Sequence, residues 1–210
     1  MLATGLMIAF PVVAAPALDA QTPEEPNGTG GPGAALERAL RLLEGGAFAD
    51  GIAALEAALP EMEPSRATEA LELSLALSEL TVAGARVAAG AAALRQRGRA
   101  GEAVGLVRQG LGAVPAPDRP ALLALGARAA DEAGLPGEAA AFRRRIATEH
   151  RDAREFPEAA LRLARAVAAE PGGRDEAAGI LEALIVERPE SPVAPAARRE
   201  LERIRAMDPQ

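Results

Sequence analysis

The sequence contains few of the residue types that carry out chemistry. It has a single histidine, His150, and no cysteine. Without a second histidine or a thiol, neither a histidine-based metal site nor a cysteine nucleophile has support. His150 stands at the end of a predicted helix, where a cation stabilises the negative helix terminus. The sequence therefore predicts no metal, no cofactor and no catalytic histidine.

The serines and acidic residues also lack a catalytic arrangement. The serines after residue 34 lie in no Gly-x-Ser-x-Gly context; they are Ser65, Ser74, Ser78 and Ser191. Three glutamates, Glu102, Glu138 and Glu176, recur at one position of a repeat, which indicates helix starts rather than a paired acid and base. The glycines near them lack the spacing of phosphate-binding or dinucleotide-binding loops. We therefore expect a protein that is not an enzyme.

The composition is that of an acidic, helix-rich chain. Its 210 residues suffice for one sizeable domain, and they are 49% apolar but only 2% aromatic. Abundant Ala, Leu, Glu and Arg with few β-branched residues favours helix over sheet. The net charge of −7 argues against a nucleic-acid partner, which would need a basic face. The basic cluster FRRRIATEH (142–150) is accordingly interpreted as a solvated helix face.

The first 20 residues differ from the rest of the chain. They are apolar up to Asp19 and end in small residues, as an export signal does before its cleavage site. Cleavage is expected after Ala15, Ala17 or Ala20. The first basic residue is Arg38, so the positive charge that usually precedes the apolar run is missing. A cleaved signal and a periplasmic location are the favoured interpretation. An uncleaved membrane anchor and a cytoplasmic protein with an apolar N-terminus are the alternatives.

The remaining chain divides into a linker and a repeat domain. Residues 21–33, QTPEEPNGTGGPG, are rich in glycine and proline and are expected to stay disordered. The regular pattern of a folded domain extends from residue 34 to residue 207. The chain is therefore predicted to have one folded domain behind an N-terminal signal or anchor.

This domain is built from repeats. The segments GRAGEAV, GLPGEAA and GGRDEAA begin at Gly98, Gly134 and Gly172, at spacings of 36 and 38 residues. Each has glycine, three residues and then Glu-Ala, the pattern expected for a helix, a glycine turn and a second helix. The glutamate lies near the positive end of the second helix, and the small residue after it lets two helices cross closely. A looser copy begins at Gly46, with Asp50-Gly51 in the place of Glu-Ala.

Two stretches depart from the regular repeat. From Gly46 to Gly98 the spacing is 52 residues, one helix too long, so residues 65–98 hold either an extra helix or one long irregular helix. Alanines and glycines between 83 and 93 predict very close helix contact there. Near the C-terminus, Pro189 ends one helix, Ser191 caps the next, and Pro192 stands at the first position of a terminal helix over 192–207.

The repeat pattern resembles the tetratricopeptide repeat. That family keeps glycine at the turn, a small residue five positions later and proline at the end of the unit. FADGIAALEAAL (48–59) and DEAAGILEALIVERP (175–189) match this pattern best. The segment ERPESPVAPAARREL is similar to repeat junctions of bacterial periplasmic members of the family, such as the Tol–Pal-associated type. The resemblance implies an all-α, right-handed superhelical stack of antiparallel helix hairpins.

The resemblance also implies that the protein binds other proteins. Such a stack presents a concave face built mainly from the first helix of each hairpin. The groove positions of the family correspond here to arginines; these are Arg95, Arg128, Arg162 and Arg203, with Arg165 one helical turn from Arg162. Arginine forks suit carboxylates, so the expected partner is a protein or peptide segment that is acidic or presents its C-terminus.

The predicted function is a non-enzymatic interaction scaffold in the bacterial cell envelope. In the competing interpretation of the arginines, they pair only with glutamates one helical turn away. The competing functions are a structural module that self-associates as a homo-oligomer and an accessory subunit of an envelope enzyme complex. A membrane contact is expected only through an uncleaved N-terminus.

Overall fold

The structure is a computed structural model and describes residues 32–206. This part of the chain contains ten α-helices: α1 (Pro32–Glu44), α2 (Phe48–Ala58), α3 (Pro64–Glu79), α4 (Val82–Gln96), α5 (Ala100–Gly110), α6 (Arg119–Glu132), α7 (Pro136–Glu149), α8 (Phe156–Ala168), α9 (Arg174–Glu187) and α10 (Ala194–Ala206). Two short 3-10 turns, Leu59–Glu61 and Ala116–Asp118, complete it, and no strand is present in this range. The predicted export signal and the linker up to residue 31 lie outside the described residues. Helix α1 includes Pro32 and Gly33, the last two residues of the predicted linker.

Eight of these helices form four hairpins, which are α1 with α2, α4 with α5, α6 with α7, and α8 with α9. Each hairpin turns at a glycine with a positive φ angle, which residues with a side chain rarely adopt. The four values are 84° at Gly46, 71° at Gly98, 68° at Gly134 and 77° at Gly172. These are the four glycines from which the repeat was read, so the predicted all-α stack of helix hairpins is confirmed.

The position after each turn behaves as the repeat pattern predicts. Glu102, Glu138 and Glu176 lie in the first turns of α5, α7 and α9, where the helix dipole favours a negative charge. The alanines that follow these glutamates are at most 1% exposed. In the first hairpin, a Cβ atom on Gly51 would lie 2.5 Å from the Leu43 side chain. A small residue is therefore required where the two helices of the hairpin cross.

Successive hairpins pack on one another through both rows of helices. In the row of first helices, α4 packs on α1 and on α6. The terminal helix α10 packs against both helices of the last hairpin, α8 and α9. In the row of second helices, ion pairs join neighbours. Arg108 lies 2.8 Å from Glu138, and Arg144 lies 2.8 Å from Glu176. The stack therefore repeats its contacts from hairpin to hairpin, as expected for a solenoid.

A buried carboxylate fixes the start of α4. Asp118 is 2% exposed and accepts hydrogen bonds from the backbone N–H of Thr81, at 3.3 Å, and from the Thr81 hydroxyl. The Thr81 hydroxyl in turn caps α4 by accepting from the N–H of Gly84. Asp118 stands one repeat further along the chain, directly before α6. It therefore ties the second hairpin to the third.

The extra length between Gly46 and Gly98 forms an extra helix, α3, as one of the two alternatives predicted. The hairpin order continues from α2 directly to α4, because α4 packs on α1 as the next first helix. Helix α3 begins at Pro64 after two extended residues and ends before two more, Leu80 and Thr81. The seven residues that helix α4 buries are all alanine or glycine, which confirms the close packing predicted for 83–93.

The C-terminal helix begins later than predicted. Helix α10 starts at Ala194, so Pro195 takes one of its first two positions, while Pro192 lies in the preceding turn. Ser191 still accepts a hydrogen bond, but from Val193 at 3.4 Å. The prolines mark the boundary between units as expected, and the prediction that Pro192 opens the helix was wrong because a turn over 191–194 comes first.

The core follows the stack as one continuous cluster of buried leucine and alanine side chains. Phe156, Leu122, Leu163 and Leu181 are among its largest fully buried members. Alanine dominates wherever helices cross closely, since a larger side chain would separate the two backbones. None of the helices between residues 32 and 206 is long and apolar enough to cross a membrane.

Candidate functional site

The described part of the chain contains a groove of about 810 Å³. One wall comes mainly from the first helices of the four hairpins, α1, α4, α6 and α8, with further residues from α7 and from the connection before α8. The other wall is the extra helix α3, which contributes Leu73, Leu75 and the following Leu80. The groove therefore spans all four hairpins and is bounded on one side by the element that interrupts the repeat.

Small side chains leave this space open. The first helices line the groove largely with alanine, including Ala88, Ala92, Ala121 and Ala124. Alanine suits a helix and removes no more than a methyl group's volume from the space above it. The alanine bias of the sequence thus serves both the close helix crossings and the open groove.

Arg95 lies at the end of α4 and is the most buried of the arginines predicted for the site. Its side chain is 8% exposed and forms a two-pronged interaction with Glu132 at the end of α6, with Nε 2.9 Å from Oε2. Its Nη2 also lies 3.8 Å from Glu69 on α3. Arg95 therefore joins two successive first helices and reaches α3 across the groove.

Two further arginines contact α3 across the groove. Arg128 on α6 places Nη2 2.8 Å from Oε2 of Glu72. Arg154, just before α8, places Nη1 2.8 Å from Oε2 of Glu79. All four side chains are between 43% and 62% exposed, so these pairs are in contact with water. Exposed pairs of this kind contribute little to stability and exchange partners readily.

The other predicted site residues divide between the groove and a neighbouring cluster. Arg162 lines the groove and donates from Nε to Glu158, one turn earlier on α8, at 2.6 Å. Arg165 and Arg203 are not among the residues that line the groove. Arg165 lies 3.8 Å from Glu200 on α10, and Arg203 donates hydrogen bonds to the same carboxylate. The structure thus brings Arg95, Arg128 and Arg162 together, and a binding role for any of the five stays a prediction.

Glu200, Arg165 and Arg203 form an ion-pair cluster that has a structural role. The hydrogen bond from Arg203 lowers the pKa of Glu200, and it outweighs the burial, which would raise that pKa. The same cause acts at Glu44, whose pKa is lowered by the two hydrogen bonds from Arg97, each 2.8 Å long. Arg97 thereby links the end of α4 to α1, and Glu200 links α10 to Arg165 of α8. These contacts hold the stack together outside the groove.

The two walls of the groove carry opposite charge. The wall opposite α3 has more arginines than acids; they are Arg95, Arg128, Arg143, Arg154 and Arg162 against Asp131, Glu155 and Glu158. Helix α3 has the reverse balance, with three glutamates (Glu69, Glu72 and Glu79) and one arginine, Arg66. In a protein with a net charge of −7, this is a local basic surface. It faces the acidic helix of the same chain.

The sequence pattern did not predict two arginines that line the groove. Arg143 belongs to the cluster interpreted as a solvated face, but it is 7% exposed and bonded to Asp131 of α6. That interpretation was wrong for Arg143 because α7 turns this position toward α6, while its neighbours Arg144 and Arg145 stay exposed. Arg154 lies in the connection before α8, where no helical period points to it.

His150 keeps the position that its sequence context predicts. It directly follows the last residue of α7, Glu149. Its Nε2 is buried without a hydrogen-bond partner and lies 3.9 Å from the Glu149 carboxylate. Within residues 32–206, no three acidic or histidine side chains come together as a set of metal ligands. The groove itself is lined by arginine, glutamate, leucine and alanine side chains, which can bind charged and apolar groups.

Comparison with known proteins gives few similarities. No protein-family model matches the sequence, and no curated protein is significantly similar to it. Among solved structures, the chain is similar to two crystal structures of a putative kinesin light chain from Podosopora anserina with nearly identical TPR-like repeats, one of them of a substituted variant. Both align over 83% of this chain at 23% identity with a TM-score of 0.47, and cover 86% and 87% of the other chain.

Proposed function

We propose that this protein is a non-enzymatic scaffold that binds a linear segment of a partner protein in the groove. The observation that carries this function is the groove itself, an open cavity that crosses four hairpins between walls of opposite charge. An elongated cavity with its charges on separate helices fits a peptide chain better than a compact small molecule. The guanidinium groups supply paired donors for carboxylates, and the leucines of α3 supply apolar contact.

The cellular setting is part of the same proposal. An export signal in residues 1–20, with small residues at its end, would place the scaffold in the cell envelope, outside the cytoplasm. Sequencing the N-terminus of the protein purified from its native cells tests this. A new N-terminus after Ala15, Ala17 or Ala20 supports export with cleavage, and an intact N-terminus in the cytoplasmic fraction contradicts it.

Selection from a library of random linear peptides tests the binding function. The full-length chain serves as bait, and selected peptides are then measured by fluorescence anisotropy. We expect the double variant Arg128→Ala/Arg162→Ala to bind these peptides about 10-fold more weakly than the wild type, because charge-assisted hydrogen bonds to the peptide are lost. Both side chains are half-exposed, so the fold should tolerate their removal.

A matched control separates the groove from general loss of charge. Arg108→Ala/Arg144→Ala also removes two half-exposed arginines, each paired with one glutamate on a neighbouring helix, but on the row of second helices. The control should bind like the wild type. Equal weakening in both variants, or in neither, would mean that the groove is not the binding site. If no peptide is selected and the mass of the protein rises with concentration, the self-associating module is the better explanation.

A further inference from the structure

Helix α3 runs along the groove and meets three successive hairpins in turn. Three of its glutamates each face a different arginine: Glu69 faces Arg95 on α4, Glu72 faces Arg128 on α6, and Glu79 faces Arg154 before α8. The order along α3 is the order of the hairpins. An acidic segment is thus already laid along the basic wall of the groove, and it belongs to the chain itself.

The spacing of these glutamates explains how one helix reaches three hairpins. Positions 69, 72 and 79 are separated by three and seven residues, which puts them on one side of an α-helix. A helix of 16 residues is about 24 Å long, enough to pass several helices packed side by side. The carboxylates of α3 therefore occupy the positions that suit an acidic segment lying in this groove.

Helix α3 stays attached while its glutamates can change partners. It is anchored by Ala70, Ser74 and Leu77, which are at most 6% exposed, and Ser74 donates a hydrogen bond to Glu56 of α2 at 2.9 Å. Its ends are tied to its neighbours by short extended connections, so it cannot swing away as a rigid lid. The glutamate side chains, in contrast, are 44% to 62% exposed and can rotate away from the arginines.

We propose that α3 is an internal competitor for the groove, and that the partner is an acidic segment with apolar residues between its carboxylates. This inference rests on the proposed function, because it names the partner of the same groove. The partner's carboxylates take the arginines over from Glu69, Glu72 and Glu79, while its apolar side chains contact Leu75 and the alanines of the opposite wall. Helix α3 remains in place, and its glutamates set the number of carboxylates that a segment needs in order to bind. Segments with only one or two acidic residues are therefore rejected.

Neutralising the competitor tests this inference. The variant Glu69→Gln/Glu72→Gln/Glu79→Gln keeps the shape of α3 and removes these charges. The probe is a labelled synthetic peptide TEALELSLALSEL, the sequence of residues 68–80, which carries the acidic pattern that meets these arginines in the folded chain. Fluorescence anisotropy should show about 10-fold tighter binding to this variant than to the wild type, since each exposed ion pair accounts for up to about 5-fold.

Three controls make the result specific. The variant Glu170→Gln/Glu190→Gln/Glu202→Gln removes the same charge from exposed positions outside the groove and should leave the affinity for the probe unchanged. A probe with its glutamates replaced by glutamine should not bind. Adding Arg128→Ala and Arg154→Ala to the neutralised variant should abolish the gain. These results together support competition by α3.

The failure of this inference is distinguishable from failure of the proposed function. If the neutralised variant binds the acidic probe no more tightly than the wild type, α3 is not a competitor. The scaffold function still stands in that case, provided that a library-selected peptide binds in a way that depends on Arg128 and Arg162. If the outside-groove control tightens binding equally, the gain reflects overall charge, and the inference is likewise overturned.

Discussion

At the scale of single residues, the glycines of this chain serve different purposes. Four of them make the hairpin turns, and their positive φ angles explain why glycine recurs at this spacing. Others stand where a side chain would strike a neighbour. Gly84 is the clearest case, because a Cβ atom there would lie 2.8 Å from Cγ and 3.1 Å from Cβ of Asp118.

Replacing Gly84 by alanine tests the buried link between α4 and Asp118. Helix propensity alone predicts a gain of about 1 kcal/mol in the free energy of unfolding. We expect instead a net loss of about 1 to 3 kcal/mol, because the methyl group displaces Asp118 from Thr81 and leaves buried polar groups without partners. Chemical denaturation followed by circular dichroism measures the difference.

Gly105→Ala is the matched control for this change. Gly105 also lies inside a helix, α5, but no neighbouring atom stands within 4 Å of the position that the new methyl group would take. This substitution should be neutral or stabilising by up to about 1 kcal/mol. Equal effects of Gly84→Ala and Gly105→Ala would show that Asp118 does not hold the start of α4.

The sequence allows the turn glycines and the buried alanines to be predicted, but not the link through Asp118. The turn is a local event, and its residues recur at a fixed spacing, so one sequence shows them several times. Thr81 and Asp118 stand 37 residues apart and the contact occurs at one junction. Nothing near Asp118 in the sequence distinguishes it from an exposed acid in a turn.

At the scale of helices, two glutamates pair with arginines outside the groove. Arg97, after α4, binds Glu44 at the end of α1. Within α10, Arg203 binds Glu200, and Arg165 of α8 lies 3.8 Å from the same carboxylate. Both glutamates have a pKa below the ordinary value near 4.5, mainly because of the hydrogen bond from arginine. These carboxylates therefore hold fewer protons in the folded chain than in the unfolded chain.

The lowered pKa values of these two glutamates determine how the stability depends on pH. The contribution of Glu44 and Glu200 is fully present above the pKa of the unfolded chain and is lost as the pH falls through the lower pKa of the folded chain. The double variant Glu44→Gln/Glu200→Gln should therefore be less stable than wild type at neutral pH. Its Tm should fall less steeply than that of the wild type between about pH 5 and pH 3.

Thermal unfolding at a series of pH values checks this prediction. Glu170→Gln/Glu190→Gln is the control, because it removes two exposed glutamates and should preserve the wild-type acid sensitivity. A double variant that loses Tm as steeply as wild type would contradict the role assigned to these two pairs. A control that flattens the profile equally would point to the overall charge.

The order of helices was predictable, and the position of α3 was not. A glycine spacing of 52 residues shows that one helix is surplus, since the regular units are 36 and 38 residues long. The surplus helix is anchored by buried residues, and its Glu69, Glu72 and Glu79 meet arginines from three later segments. Those partners lie 26, 56 and 75 residues away, and a sequence pattern does not relate them.

At the scale of the whole molecule, the stack holds a basic wall and an acidic helix facing each other across an open groove. The family resemblance located three of the groove arginines, because first helices present equivalent positions at each repeat. It also assigned Arg165 and Arg203 to the groove, while the structure places them beside Glu200. The repeat explains the basic wall of the groove, and the extra helix α3, which departs from the repeat, forms the acidic wall that faces it.

Both the binding function and the competition by α3 depend on the position of α3 over the groove. The chain has no cysteine, so two introduced cysteines can carry nitroxide labels without interference. Leu71 on the outer side of α3 is 45% exposed, and Ala141 is exposed on α7. The variant Leu71→Cys/Ala141→Cys therefore reports the distance between α3 and the third hairpin.

Pulsed electron–electron double resonance on this labelled variant is the experiment that we would do first. We expect one narrow distance distribution, because the buried Ala70, Ser74 and Leu77 hold α3 at a fixed place along the groove. A broad distribution, or two separate distances of similar weight, would show that α3 is not held there. In that case, the glutamates of α3 would not stay opposite Arg95, Arg128 and Arg154, and the groove would lose one of its walls.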